Sequence, residues 1–305
     1  MIDAQRLFKD AVAVASAVRA TGPSVAQTPV PRRAPFKVLL VRIVSLNAWG
    51  GALYDRFAAW LPTAGADVLC LQEVTRTPGV QGWTQFQDAD RLLPQRADLF
   101  ADAAALLPDH LVVFTASDAG PVIDRHGRRH QQQFGVAAFV SPEVTVLQQV
   151  AAFVHGRYIE HEHWTVSGRP RVAHALRLTA PGLERPVTVV HLHGLRDPIG
   201  KGDTPARREQ AHQLAALVTQ VRRDGDVTVV CGDLNLLPDS ETFDVLRGIG
   251  LFDLVGTTDT RTTRYRKPTR HASYLLVSHP EAVRALEVVT APEVSDHRAL
   301  TLDLA

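Results

Sequence analysis

The apolar run Val229-Val230-Cys231 ends in Gly232, and then Asp233 and Asn235 stand two residues apart. On an extended chain, residues i and i+2 face the same way. The pair would present a carboxylate and an amide side by side, a combination that can hold a hard cation, a water or a phosphate oxygen. Taken alone the segment reads equally well as a turn, because Gly-Asp and Asn also make turns. Its meaning comes from repetition. Ile43 to Asn47 is an apolar run ending on Asn47, and Asp67 to Val74 is a buried-type run expected to finish on Glu73. Val187 to His193 carries His191 and His193, and Ser295-Asp296-His297 leads into a strand from Ala299 to Leu304. Apolar strands ending on such side chains suggest one polar cluster at one rim. Oxygen donors with few histidines and no cysteine favour Mg²⁺ or Mn²⁺ over Zn²⁺.

The segments SLNAWGG, CLQEV, HLHG, GDLN and SDH, in this order over residues 43 to 297, resemble the endonuclease/exonuclease/phosphatase superfamily of metal-dependent phosphoesterases. HGLRDPIGKGDTPARREQ followed by GDLNLLPDSE is similar to an unassigned bacterial branch of it. The resemblance implies an α/β, DNase I-like four-layer sandwich of two packed mixed β-sheets flanked by helices, and Mg²⁺ or Mn²⁺ as cofactor. Glu73 is then the direct metal ligand, Asn47 touches the ion or orients Glu73, and Asp296 completes the metal shell. Asp233 orients or deprotonates the attacking water, and Asn235 fixes the phosphate or a second ion. His297 bonds a phosphoryl oxygen or that water. His193 matches the histidine that stabilises transition-state charge or protonates the leaving group.

Two positions depart from the pattern. His191 stands where Asn or a similar residue is usual, and His191 with His193 raises the competing reading of a transition-metal pair. Ser273, in HASYLLVS, stands where members carry the Asp that orients the histidine of SDH. A serine can hydrogen-bond the ring but cannot stabilise an imidazolium by charge.

Arg264, Arg266, Lys267 and Arg270 lead into the Ser273 strand, which makes Arg264, Arg266 and Arg270 candidate substrate-binding residues against the alternative of solvated loop charge. A second cationic group is Arg125, Arg128 and Arg129. His155, His161 and His163, set among Glu160 and Glu162, read as a solvated strand or loop face. Cys70 and Cys231 read as small core residues rather than a disulfide.

The elements that must carry these residues alternate between strand and helix. Leu53, Phe57, Trp60 and Leu61 have helical spacing before Pro62. A helix is expected over 89–107, a strand over 111–115, and a hairpin of 135–140 with 144–147 around Ser141-Pro142. Residues 171–178 and 187–193 read as antiparallel strands joined by Ala180-Pro181-Gly182. Thr204 caps a helix that Pro205 opens and Asp224-Gly225 ends, with Ala211, Leu214, Leu217, Val218 and Val221 as its buried stripe. A shorter helix follows Asp239-Ser240.

At 305 residues the chain can bury an ample core in one large domain. Residues 1–35 read as a short helix with a Pro-rich linker, and 36–305 as the catalytic domain. A net charge of +1 argues against a strongly basic nucleic-acid coat but leaves room for a local groove. No apolar run approaches a membrane span, and a cytoplasmic protein is expected, with secretion through an N-terminal signal as the alternative; the oligomeric state stays open, a monomer being compatible with the sequence. The function reading is divalent-metal-dependent hydrolysis of phosphate esters, foremost by a phosphodiesterase or nuclease acting on nucleic acid or a nucleotide-like diester. A phosphatase or phosphodiesterase for a small metabolite or lipid headgroup is the alternative. Ser273 motivates a third, a non-catalytic phosphate-binding descendant.

Overall fold

The computed structural model describes residues 40–89 and 91–305, so the expected extension over 1–35 and the first residues of the 36–305 domain lie outside the described residues. The first sheet contains β1 (Val41–Asn47), β2 (Val68–Arg76), β3 (Trp83–Gln87), β4 (Leu92–Arg96), β5 (Leu111–Asp124) and β6 (Arg129–Val140). The second contains β7 (Thr145–His155), β9 (Arg171–Thr179), β10 (Val187–His193), β11 (Val227–Asp233), β12 (Phe252–Asp253) and β13 (Ser273–Val277). The short β8 (Ile159–Glu160) joins the first sheet at β5, and β14 (Val283–Val288) and β15 (Leu300–Leu304) complete it beyond β1. Among the described residues four α-helices stand outside: α1 (Tyr54–Trp60), α2 (Leu99–Leu106), α3 (Pro205–Val221) and α4 (Glu241–Arg247).

Each sheet is largely antiparallel around a parallel pair, β1 with β2 in the first and β10 with β11 in the second. The period of two along these strands sorts their side chains into layers. Ile43, Val68, Cys70 and Ala138 belong to the core that also contains Val189, Val229 and Leu275 of the second sheet. Their neighbours Val44, Leu69, Ala137 and Phe139 pack instead with Phe57 and Trp60 of α1 and Leu99 and Ala103 of α2. Leu214, Val218 and Val221 seal α3 onto β7 and β9. The result is the expected four-layer arrangement of two mixed sheets flanked by helices. Cys70 and Cys231 meet in the inner layer as buried free thiols. No helix among the described residues is long and apolar enough to cross a membrane.

Three local expectations are corrected. The helix over 89–107 is instead β4 followed by the shorter α2: Pro94 suits the edge strand, and Asp98 caps the helix by accepting from the Ala101 N–H at 2.9 Å. Residues 135–140 and 144–147 are not a hairpin, because β6 pairs with β2 and β5 while β7 crosses over to pair with β9. His161 is not a solvated residue, since its Nε2 sits 3.1 Å from the buried Asp118 carboxylate.

Candidate active site

All four strands of the parallel pairs bring polar side chains to the same rim. β1 ends on Asn47, whose Oδ1 accepts from the Trp49 N–H at 3.0 Å. A backbone N–H can only donate, so this contact settles which end of the amide is oxygen. The Nδ2 then donates to Glu73 Oε1 at 3.1 Å and to Asp233 Oδ2 at 2.9 Å, which makes Asn47 a residue that orients two carboxylates. The turn that brings Trp49 back requires positive φ at Gly50, 58°, where an added Cβ would also meet the Gln95 side chain at 2.6 Å.

Glu73 does not end its strand. β2 continues to Arg76, and its pairing with β6 shifts register between Leu71 and Val74, with Glu73 at φ 54°. This bulge changes the phase of the strand: Leu69, Leu71 and then Val74 all pack toward α1 and α2. Glu73 is released from the ladder and turned to the rim. Asp233 and Asn235 do share one side, but by a different device from strand alternation. Asn235 lies past the strand end at φ 55°, and its N–H donates back to Asp233 Oδ1 at 3.0 Å.

His193, the last residue of β10, places Nε2 3.8 Å from Glu73 Oε1, 3.7 Å from Asp233 Oδ2 and 3.2 Å from Asn235 Nδ2. Burial, reinforced by Arg171 and Arg169, holds its pKa well below the ordinary histidine value, so the ring is neutral and has a lone pair to offer. Glu73, His193 and Asp233 each bring one ligand atom within 4.8 Å of the others, the only such group of three or more acidic, His or Cys residues among the described residues. Two carboxylates and one imidazole fit a hard-to-borderline divalent ion such as Mg²⁺ or Mn²⁺.

Asp296, expected in the metal shell, is paired with Arg261 Nη1 at 2.7 Å. Burial, with Glu73 and Asp233 nearby, raises its carboxyl to about 7 against the opposing pull of Arg261. His297 is buried between Ser273 Oγ, 2.9 Å from Nδ1, and Asp233 Oδ2, 3.3 Å from Nε2. Pairing of β11 with β13 sets Ser273 directly beside Asp233. Burial, then Arg261, Lys201 and His193, hold His297 well below the ordinary range, hence neutral. A lone pair on Nε2 would face the Asp233 carboxylate. The favoured tautomer therefore carries its proton on Nε2, and the Ser273 hydroxyl donates to Nδ1. An aspartate at 273 could only accept, and would demand the proton on Nδ1.

The seven residues expected at the rim thus converge. The cationic candidates divide. Arg264 and Arg266 line a cleft of about 510 Å³ that includes Glu73, His193 and Asp233. Arg270 turns into its own loop, held by Asp259 at 2.6 Å and by the Arg261 carbonyl at 2.8 Å. His191 is fully buried with neither ring nitrogen hydrogen-bonded, and faces His174 across the strands at 5.5 Å. It therefore belongs to no metal group of three or more ligands.

Sequence reasoning missed two cations. Arg171 opens β9, is only 5% exposed, makes no hydrogen bond or ion pair among the described residues, and lines a recess with Glu73 and His193. Burial lowers its pKa to about 10. An arginine opening a buried strand is its only sequence signal. Its neighbour Arg169 is by contrast fully engaged, bonded twice to Asp118 and stacked on Phe134 and Trp164. Lys201, from the loop after β10, donates to the His271 carbonyl beside the cleft, and burial lowers its pKa to about 8. Its loop is pinned by Arg207, 2% exposed, which donates to the carbonyls of Leu195, Gly200 and Gly202.

Two mixed sheets whose parallel pairs deliver carboxylates, imidazoles and asparagine amides to one cleft define a DNase I-like, metal-dependent phosphoric ester hydrolase. The chain belongs to the endonuclease/exonuclease/phosphatase family, whose model matches residues 44–297. Among solved structures it is similar to a family member from Bacteroides thetaiotaomicron, with 16% identity and TM-score 0.61 over 88% of this chain and 98% of that one. A mannosyl-6-phosphatase from the same organism shares 14% identity at TM-score 0.61, covering 87% and 99%. The human Nocturnin catalytic domain with bound sulfate shares 17% at TM-score 0.55, covering 87% and 93%. At these identities the likeness concerns the fold. No curated protein matches the sequence.

Proposed function

We propose that this protein hydrolyses a phosphodiester of nucleotide-like size, with residues 36–305 as the catalytic domain and Mg²⁺ or Mn²⁺ held by Glu73, Asp233 and His193. The observation that carries the reading is Arg171: a buried guanidinium with no hydrogen-bonded ion pair, its Nε unbonded, in a recess shared with Glu73 and His193. Burying an unpaired cation is costly unless an anion completes it. A cleft of about 510 Å³ suits a ligand of nucleotide size better than a polymer track.

In this reading Arg171 and the Asn235 amide bind phosphoryl oxygens and orient the ester. Asp233, fixed by the Asn47 amide and the Asn235 N–H, aligns the attacking water and takes its proton. His297, whose Nε2–H faces Asp233 at the cleft wall, shares that proton with a phosphoryl oxygen as charge grows there. The divalent ion, when bound, supplies Lewis acidity to the phosphoryl group. Asp296 acts through Arg261, keeping that guanidinium fixed beside the cleft.

The test is a panel of bis-p-nitrophenyl phosphate, p-nitrophenyl phosphate, dinucleotides, single-stranded DNA and RNA, and phospholipid headgroup esters, each with Mg²⁺ or Mn²⁺ and with EDTA. Metal-dependent turnover with the small diesters fastest supports the proposal. Faster turnover of monoesters or headgroup esters would move the assignment to the metabolite or lipid alternative. A silent panel with retained phosphate binding would move it to a non-catalytic descendant.

A further inference from the structure

Charge in the cleft does not balance around a single phosphate. A divalent ion offsets Glu73 and Asp233, and Arg261 offsets Asp296. Asp197 is turned to its own loop, accepting from the Ile199 N–H at 2.8 Å. Arg171 remains in the recess beside Glu73 and His193. Lys201, Arg264, Arg266 and Lys267 remain in the adjoining cleft, which shares Glu73, Arg91, His193 and Arg196 with that recess. Lys201 is bonded only to a carbonyl, and Arg264 reaches Glu293 only at 4.0 Å. Arg266 and Lys267 have no ionic partner among the described residues. One diester brings a single negative charge, and a monoester about two.

We propose that the substrate carries a second phosphate group, bound by Lys201 and the 264–267 loop while Arg171 and the metal triad hold the scissile one. The proposal rests on the phosphoesterase reading and narrows its substrate to a compact, multiply phosphorylated ester. Lys201 is suited to this because the buried Arg207 clamps its loop at three carbonyls, so the ammonium is positioned before the ligand arrives. A nucleic-acid track is disfavoured on two grounds. The chain has a net charge of only +1. The face of Tyr265, a lining aromatic, is already covered by Arg261 at 4.1 Å.

Calorimetric titration at fixed free Mg²⁺ should show methylenediphosphonate binding at least about 20-fold more tightly than methylphosphonate, the gain expected from one added charge-assisted contact. Lys201→Ala and the exposed pair Arg266→Ala/Lys267→Ala should each reduce that preference severalfold, with little change for methylphosphonate, and Lys201→Arg should restore most of it. Equal affinities in the native protein, with methylphosphonate bound and bis-p-nitrophenyl phosphate hydrolysed, would overturn the second subsite and leave the phosphoesterase reading intact. Failure of both methylphosphonate binding and hydrolysis would remove the parent reading and this one together. Affinity for oligo-dT that keeps rising well past two phosphates would overturn the compact substrate in favour of nucleic acid.

Discussion

His191 and His193 lie on one strand, two residues apart and on one face, yet they occupy opposite chemical settings. His193 reaches the rim, where Glu73, Asp233 and Asn235 converge on its Nε2. His191 is one step deeper, opposite His174 and Cys231 in the strand register, with no hydrogen-bond partner at either nitrogen. Burial lowers both pKa values, so both rings are neutral. What separates them is the neighbour set that two residues of strand rise can change. The lone pair of His193 faces two acids that a divalent ion could bridge. That of His191 meets another imidazole and the core. A depressed pKa alone therefore does not separate a residue of the candidate site from a core residue in this protein; convergence of oxygen donors does.

The largest difference should be in turnover. His193→Ala is expected to lower kcat of diester hydrolysis by about 10² to 10³, the scale for losing one preorganised group. His191→Leu should change it by less than about threefold, because that ring contacts no site carboxylate. Equal losses in the two variants, in steady-state assays with unchanged circular dichroism, would erase the distinction.

A smaller effect concerns acid stability. His174 is lowered to about 4 from 6.5 by burial, and His191 is lowered in the same direction. Between those values the unfolded chain binds protons that the folded chain refuses. Stability is therefore full above pH 6.5 and falls as pH drops toward 4, by roughly 1.4 kcal/mol per pH unit for each histidine. The double variant His174→Leu/His191→Leu should flatten this slope in urea titrations across pH 4.5 to 7, whereas a slope unchanged in the double variant would assign the acid sensitivity elsewhere.

The smallest expected effect is at Ser273. Ser273→Asp would stabilise the imidazolium of His297, which gains charge and keeps its Nε2–H, and should raise bis-p-nitrophenyl phosphate hydrolysis by up to about tenfold. The gain should vanish in a His297→Ala background, since the two residues act as a unit. A rate unchanged or lowered by Ser273→Asp would mean that the serine-set tautomer is the working one.

The rim residues were legible because each stands at or just past the end of an apolar run, a pattern that survives without knowledge of the fold. The devices that aim them were not. Glu73 reads as a strand end, but a bulge turns it out, and one extra residue in a ladder leaves alternation looking intact over short stretches. From the sequence Asn47 reads as touching the metal or orienting Glu73, and only the Trp49 N–H reveals that its amide nitrogen faces both carboxylates. Arg171 comes from a segment with no motif of its own, and Lys201 lies in the HGLRDPIGKGDTPARREQ segment without any local signal of where its side chain goes; tertiary packing brings both to the site. Ser141-Pro142 signals a turn correctly, yet the turn changes sheets, which depends on long-range pairing that local composition does not encode.

We propose that Glu73, Asp233 and His193 hold one divalent ion where the two sheets meet. Mn²⁺ titration followed by electron paramagnetic resonance tests it most directly. The native protein should bind one Mn²⁺ at this site, and Glu73→Gln and His193→Ala should each weaken binding by about tenfold or more while Tm of the metal-free protein stays within a few degrees. Undiminished Mn²⁺ affinity in Glu73→Gln would contradict the account.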